Sequence, residues 1–384
     1  MGSFVKEVNP EMMLLARQSR GLSQKELAEK VSITPALLSK MENGIRGITE
    51  INLVKVANAL DYPIEFFFNG ELVHGLGVSE IYHRRRQNVP NKTLDKIHAQ
   101  INIIRMSLIK MLRGIDIGET EFRVLDIDDF SGDVPEIARA VRAMWNIPPG
   151  PIKNLIRVIE YARGIVLPFD FGTRRIDSIS YWPGGLPPLF FVNIDIPGDR
   201  LRFSLCHELG HTIMHQDYPL PDMERQADTF AAEFLMPEQD IRSQLSDATL
   251  ESLALLKPYW KVSMAALLKR ASDLGTITPR RARTLWTQMA KLGIKYREPV
   301  ELDIPEETPS LEQEIVSVYS NEMGYSLSDL SKMLSLREDD VCRYFFGFNK
   351  LLRQEESEAL IEEAENIIKS YQEKTDNLDK ENKE

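Results

Sequence analysis

Cysteine is nearly absent. Cys206 and Cys342 are the only two in 384 residues, too few for a disulfide framework and in keeping with a reduced, cytoplasmic protein. No apolar run approaches the roughly 20 residues that a membrane span requires. The N-terminus lacks the basic segment, apolar stretch and small-residue cleavage site of a secretory signal, and the two absences together argue against membrane attachment. Basic charge is also in deficit: the net charge of −11 at first sight excludes a protein that works by neutralising phosphates. Eleven acids against four bases, however, fall between Glu355 and Glu384. The deficit therefore sits largely in a terminal segment, while Pro10 to Asn69 is close to charge balance. No internal repeat stands out.

What is present is an ordinary globular composition, 43% hydrophobic and 27% charged, in a chain longer than one core usually serves. Short helical patterns follow one another from Pro10 to the cluster Ile64-Glu65-Phe66-Phe67-Phe68, which predicts a compact all-α domain over residues 1–70. Residues 71–118 read as a basic helical connector, with helical spacing from Leu94 to Leu112 and the run His83-Arg84-Arg85-Arg86. That run is either a solvated linker or an auxiliary phosphate contact. Helices over Val134 to Trp145 and Ile152 to Arg163 flank the turn Ile147-Pro148-Pro149-Gly150-Pro151. Three β-rich runs follow, Gly164 to Phe169, Ile176 to Trp182 and Leu189 to Ile194, and helices return from Leu201 to about Leu292. Residues 119–300 thus predict a mainly helical domain with a small β-sheet, and 301–384 a helical segment ending in the acidic tail. The fold class is α+β and multi-domain.

Ser23-Gln24-Lys25-Glu26 is a capping box that opens a helix. A second start, Ser32-Ile33-Thr34, leads to Pro35 at the first helical position and closes at Asn43-Gly44. Two short helices joined by a tight turn make a helix-turn-helix, whose second helix lies in the major groove of double-stranded DNA. Thr34, Pro35, Ser39 and Lys40 are expected to face DNA, Gln24 to reach a phosphate, and Leu27, Ala28, Leu37, Leu38 and Met41 to pack the core.

Phe203-Ser204-Leu205-Cys206-His207-Glu208-Leu209-Gly210-His211 contains H-E-x-x-H on a helical segment. Residues four apart share a helix face, so the imidazoles of His207 and His211 converge on one Zn²⁺ with Glu208 beside the open coordination position. Thirteen residues on, Glu224 opens the pattern E-x-x-x-D on a further helix. Glu224 supplies the third ligand, and Asp228, one turn later, accepts a hydrogen bond from the outer ring nitrogen of a ligating histidine. His215 lies about 12 Å along the helix axis from His207, too far to join the same ion, and is assigned a helix-end or packing role. Cys206 is read as a buried structural thiol. The predicted chemistry is peptide hydrolysis, with water activated by zinc and by Glu208 as general base. Tyr259 and Arg270 are candidate oxyanion stabilisers, and the strand Leu189 to Ile194 a candidate sheet edge for an extended substrate.

Arg202-Phe203 before the H-E-L-G-H stretch, Phe230-Ala231-Ala232-Glu233-Phe234-Leu235-Met236-Pro237, and the later Val262 to Arg270 with Leu274-Gly275 resemble the ImmA/IrrE family of zinc metallopeptidases. Leu22-Ser23-Gln24 and Ser39-Lys40-Met41-Glu42-Asn43-Gly44 resemble the XRE/Cro-type helix-turn-helix. The first resemblance implies gluzincin-like ligation and cleavage of repressor proteins in mobile-element or stress-response regulation. Together they imply a cytoplasmic, homodimeric regulator that binds DNA and cleaves a repressor or antitoxin-like protein. Two alternatives stand beside it: a regulator whose peptidase fold is a silent sensing or dimerisation module, and a toxin-antitoxin component.

Overall fold

The computed structural model describes residues 8–73, 75, 89–182, 184–215, 222–295 and 297–346. The arginine run and the acidic tail lie outside them. The protein is mainly helical with one small sheet, the expected α+β class, and no helix among the described residues is long and apolar enough to cross a membrane. Two compact units form. One gathers the described parts of Met1–Leu76, Arg84–Ile117 and Glu312–Glu384, the other Gly118–Leu311.

The first unit begins with α1 (Pro10–Ser19), α2 (Gln24–Val31), α3 (Pro35–Glu42) and α4 (Glu50–Leu60), followed by a 3₁₀ turn over Ile64–Phe68. Each helix start is written locally. Asn9, Ser23, Thr34 and Thr49 accept hydrogen bonds from first-turn amides, and Ser23 and Glu26 form the expected reciprocal box. Leu15, Leu27, Leu38, Val56 and Phe67 are buried between them. The segment read as a connector supplies α5 (Asn91–Leu112), which packs on α1 with Ile97, Ile101, Ile104 and Leu108 buried. The C-terminal part adds α14 (Leu311–Ser317), α15 (Leu327–Leu334) and α16 (Glu338–Val341), the last continued by a π-helical turn over Cys342–Phe346. The Tyr319 hydroxyl donates to the Met111 carbonyl at 2.6 Å.

The second unit holds α6 (Val134–Met144), α7 (Leu155–Tyr161), β1 (Ile165–Phe169), β2 (Ser178–Tyr181), β3 (Leu189–Asn193), α8 (Gly198–Met214), α9 (Met223–Leu235), α10 (Glu238–Ile241), α11 (Leu250–Trp260), α12 (Met264–Asp273) and α13 (Pro279–Lys291). The sheet order is β1-β3-β2. β3 runs parallel to β1, with Val166 opposite Phe190, and antiparallel to β2, with Ile179 opposite Phe191. This corrects the expectation for Leu189 to Ile194: β3 is the central strand, fully buried along its length, and β2 is an edge. Strand composition cannot reveal that order, because β1 and β3 pair across an intervening strand. α8 packs on β2 and β3, and α9 packs between α8 and α6.

Two constraints fix the first turn of α8. Gly198 is required because a Cβ there would lie 2.8 Å from the Ile304 carbonyl oxygen. Lys257, fully buried on α11, donates to Asp199 and to Glu298, both at 2.6 Å. Burial alone would lower the Lys257 pKa, but the two carboxylates raise it above the ordinary lysine value. Lys257→Ala would leave both carboxylates buried without their cation, and should cost about 3–5 kcal/mol of unfolding free energy, read as a lower urea midpoint. An unchanged midpoint would show that the triad does not hold α8.

Candidate metal centre

H-E-x-x-H occupies the second half of α8, where the period of 3.6 residues puts His207 and His211 on one face. Their Nε2 atoms are 3.0 Å apart. Glu224, in the first turn of α9, brings one carboxylate oxygen to 3.4 Å from His211 Nε2 and the other to 3.9 Å from His207 Nε2. Among the described residues, His207, His211 and Glu224 are the group of three whose ligand atoms converge, all within 4.8 Å of one another. The approach depends on Gly210. A Cβ at that position would sit 3.2 Å from Phe230 Cβ and 3.3 Å from Ala227 Cα, so the missing side chain is what lets α9 cross α8 closely enough to deliver Glu224.

The outer ring nitrogens decide which atoms face the centre. His207 Nδ1 donates to Asp228 Oδ1 at 2.8 Å, Asp228 lying one turn beyond Glu224. His211 has a partner that spacing did not reveal. Its Nδ1 lies 3.0 Å from Nδ1 of His215, whose Nε2 lies 2.9 Å from Gln226 Oε1. An amide oxygen can only accept, so His215 carries its proton on Nε2 and accepts from His211 at Nδ1. Burial first, and then the neighbouring His211, lower the His215 pKa to about 4, which keeps it neutral for that role. His215 also caps the end of α8, and its contact fixes the orientation of the His211 ring. With both Nδ1 atoms donating, the Nε2 lone pairs of His207 and His211 point at each other across 3.0 Å, an arrangement that calls for a cation between them. Although burial opposes protonation of His207, Asp228, Glu208 and Glu224 together raise its pKa, so a metal ion would compete there with a proton. The donor set of two imidazoles and a carboxylate suits Zn²⁺.

Glu208 is 1% exposed, and its Oε2 accepts from the backbone N–H of Ser180 at 2.9 Å and from the Ser180 hydroxyl at 2.6 Å. Ser180 lies on β2, so the strand beside α8 sets the carboxylate's orientation. Sequence reasoning missed Ser180, since nothing in its neighbours marks a strand serine as a partner for a residue 28 positions on. Cys206 is fully buried, with its thiol pKa pushed well up by burial, in accord with a structural role. Arg270 is buried and committed to Glu233 and to the Met236 carbonyl. Tyr259 is 56% exposed, its hydroxyl near Gly150. Neither side chain shares a hydrogen bond with the three converging residues.

The IrrE N-terminal-like domain of peptidase family M78 matches residues 162–272, and a helix-turn-helix family matches residues 14–67. One chain thus joins an XRE-type helix-turn-helix to an ImmA/IrrE-type domain. Two curated relatives, uncharacterized HTH-type transcriptional regulators of Rickettsia conorii and Rickettsia prowazekii, are each 43% identical over 54 residues, 14% of this chain. The aligned stretch spans 43% and 42% of their respective lengths. The metallopeptidase-family relationship of the second domain rests on its match to the IrrE N-terminal-like model over residues 162–272.

In the XRE-type domain, Thr34, Pro35, Ala36 and Lys40 are exposed on α3 and Ser39 is half-buried. Asn43 and Arg46, which were not singled out from sequence, are exposed on the same turn of chain. The Gln24 amide donates to Glu42 at 2.8 Å, and Glu42 also receives a bidentate pair from Arg17. Leu27, Ala28, Leu38 and Met41 are buried as expected, while Leu37 is half-buried.

For the metal centre, wild-type protein dialysed against zinc should retain about one ion per chain, and His207→Ala or Glu224→Ala should retain none. His215→Ala should still bind, but roughly 10–100-fold more weakly in competition with a chromophoric chelator. Equal affinity in His215→Ala would remove its orienting role.

Proposed function

We propose that the chain is a DNA-binding transcriptional regulator carrying a zinc-dependent endopeptidase that cleaves a repressor or antitoxin-like protein. The observation that carries this reading is the convergence of His207, His211 and Glu224 on one point, with Glu208 on the same helix beside an edge strand. When bound, zinc supplies the Lewis acidity that acidifies a water and polarises a carbonyl. His207, His211 and Glu224 would hold it; Asp228 and His215 fix the two imidazoles. Glu208, oriented by Ser180, takes a proton from the attacking water and delivers it to the leaving amine. An extended peptide would lie along β2, the edge strand next to α8, in place of the buried β3.

A second reading has its own support. Both donors of Ser180 engage one oxygen of Glu208 in a buried setting, as would suit a peptidase fold kept for sensing or dimerisation. The two separate on one variant. Glu208→Gln should keep zinc and abolish cleavage of a candidate repressor, by at least 100-fold. Wild-type protein that holds zinc yet cleaves none of the repressor and antitoxin-like proteins offered would favour the sensing role.

Double-stranded DNA is the proposed partner of α3, read by a homodimer on paired half-sites. Lys40 on α3 and Arg46 just beyond its end are exposed cations. Lys40→Ala with Arg46→Ala should lower duplex affinity and reduce the salt slope by about 2, measured by fluorescence anisotropy across a salt series. An unchanged slope would move DNA contact to another surface.

A further inference from the structure

The C-terminal helices repeat the geometry of the helix-turn-helix 303 positions later, without a gap. Gly21, Ser23, Leu27 and Ser32 recur in sequence as Gly324, Ser326, Leu330 and Ser335. Gly21 and Gly324 both take positive φ, +63° and +70°. Ser23 and Ser326 cap α2 and α15 with reciprocal boxes to Glu26 and Asp329. Ser32 and Ser335 end those helices in the left-handed region with the same φ of 58°, and Thr34 and Arg337 precede α3 and α16 in extended backbone.

The closing hydrogen bonds correspond one by one. Ile33 N–H donates to the Ala28 carbonyl and Leu336 N–H to that of Ser331, both at 3.0 Å. Leu38 to Thr34 matches Val341 to Arg337, at 3.1 and 3.0 Å. Buried Leu27, Val31, Leu38 and Met41 find their counterparts in buried Leu330, Leu334, Val341 and Tyr344.

What differs is the face of the second helix. α3 opens on Pro35, Ala36 and Leu37, whereas α16 opens on Glu338, Asp339 and Asp340, a charge that phosphates repel. Asp340, which stands where Leu37 stands, is 1% exposed and takes a bidentate pair from Arg20 at 2.7 and 2.5 Å. Arg20 belongs to the first motif's own domain. It donates further to the carbonyls of Leu60 and Asp61 at the end of α4 and lies 4.3 Å from the centroid of the Tyr62 ring. Arg337 adds a 3.4 Å contact to Asp61, and Lys110 of α5 reaches the Leu334 carbonyl.

We propose that residues 324–346 are a second helix-turn-helix whose second helix recognises protein in place of DNA, its partner being the end of α4 and the Arg20 corner of the first motif in the same chain. A scaffold otherwise used to present side chains to a groove is here turned onto its own counterpart, with a carboxylate in the position of an apolar residue and an arginine as its target.

The test uses the full chain. Hydrogen exchange is followed at residues 16–62 and 327–341 in Asp340→Arg, in Arg20→Asp and in the double exchange, with Asp340→Asn as a milder variant that preserves size. Each single reversal should speed exchange in both segments by tenfold or more, Asp340→Asn should do so to a smaller extent, and the double exchange should restore protection. Single reversals that leave either segment unchanged would overturn the docking role. In parallel, Lys332→Ala with Arg343→Ala is titrated with a 30-base-pair duplex of mixed sequence; Arg343 stands where Lys40 stands in the first motif. Affinity within twofold of wild type, with the same salt slope, is expected, and a slope reduced by about 2 would make the second motif a DNA reader and overturn the proposal.

Discussion

The absence of a side chain at Gly210 is the constraint on which the convergence of His207, His211 and Glu224 rests. Ligands from α8 can share a face whatever surrounds them, because four residues make about one turn. The Glu224 carboxylate on α9 can reach them only if the two backbones come into near contact, and Phe230 and Ala227 already fill the space that a Cβ at Gly210 would need. That approach in turn requires α8 to be held still. Asp199 in its first turn is clamped by Lys257, and Arg202 one turn later donates to the carbonyls of Ile152 and Lys261 and pairs with Glu307. Charged groups at one end of a helix thus set the precision of imidazoles at the other.

Around the three converging residues lies a set of hydrogen bonds that leaves little freedom of orientation. Asp228 settles His207, Gln226 settles His215, His215 settles His211, and Ser180 settles Glu208. Most of these groups are buried, where an unpartnered polar atom is costly and a satisfied one is rigid. The sheet takes part through a single residue on its edge strand, so the small β-element both supports α8 and aims its glutamate.

How much of this could be read from sequence follows from the range of the interactions involved. The helix-turn-helix was legible because capping boxes and a proline at the first turn act within four residues, and the H-E-x-x-H pair because helical spacing alone brings His207 and His211 together. Glu224 and Asp228 were legible as a second periodic pattern. Helical rise alone places His215 too far from His207 for a shared ion, and its actual partners, His211 and Gln226, become visible only once α9 crosses α8. The place of β3 at the sheet centre, Ser180 beneath Glu208 and the bond from Gln24 to Glu42 all arise from pairings distant in sequence. The C-terminal counterpart of the first motif was hidden for a different reason. A few positions keep the same residue, Ser23 and Ser326 or Leu27 and Leu330, but others keep only the chemical type, Glu26 becoming Asp329 and Val31 becoming Leu334, so the likeness lies in backbone geometry more than in residue identity.

The first compact unit is assembled from segments on both sides of the second: α1 to α5 come before residue 118, and α15 and α16 after residue 311. A ribosome adding roughly 5–20 residues per second therefore takes on the order of 10–40 s to make the intervening stretch. By the time residue 311 is made the ImmA/IrrE-type domain has all of its own chain, while the helix-turn-helix still lacks the helices that complete its unit. In each newly made molecule the order of synthesis places the finishing of the peptidase-like half before that of the DNA-binding half.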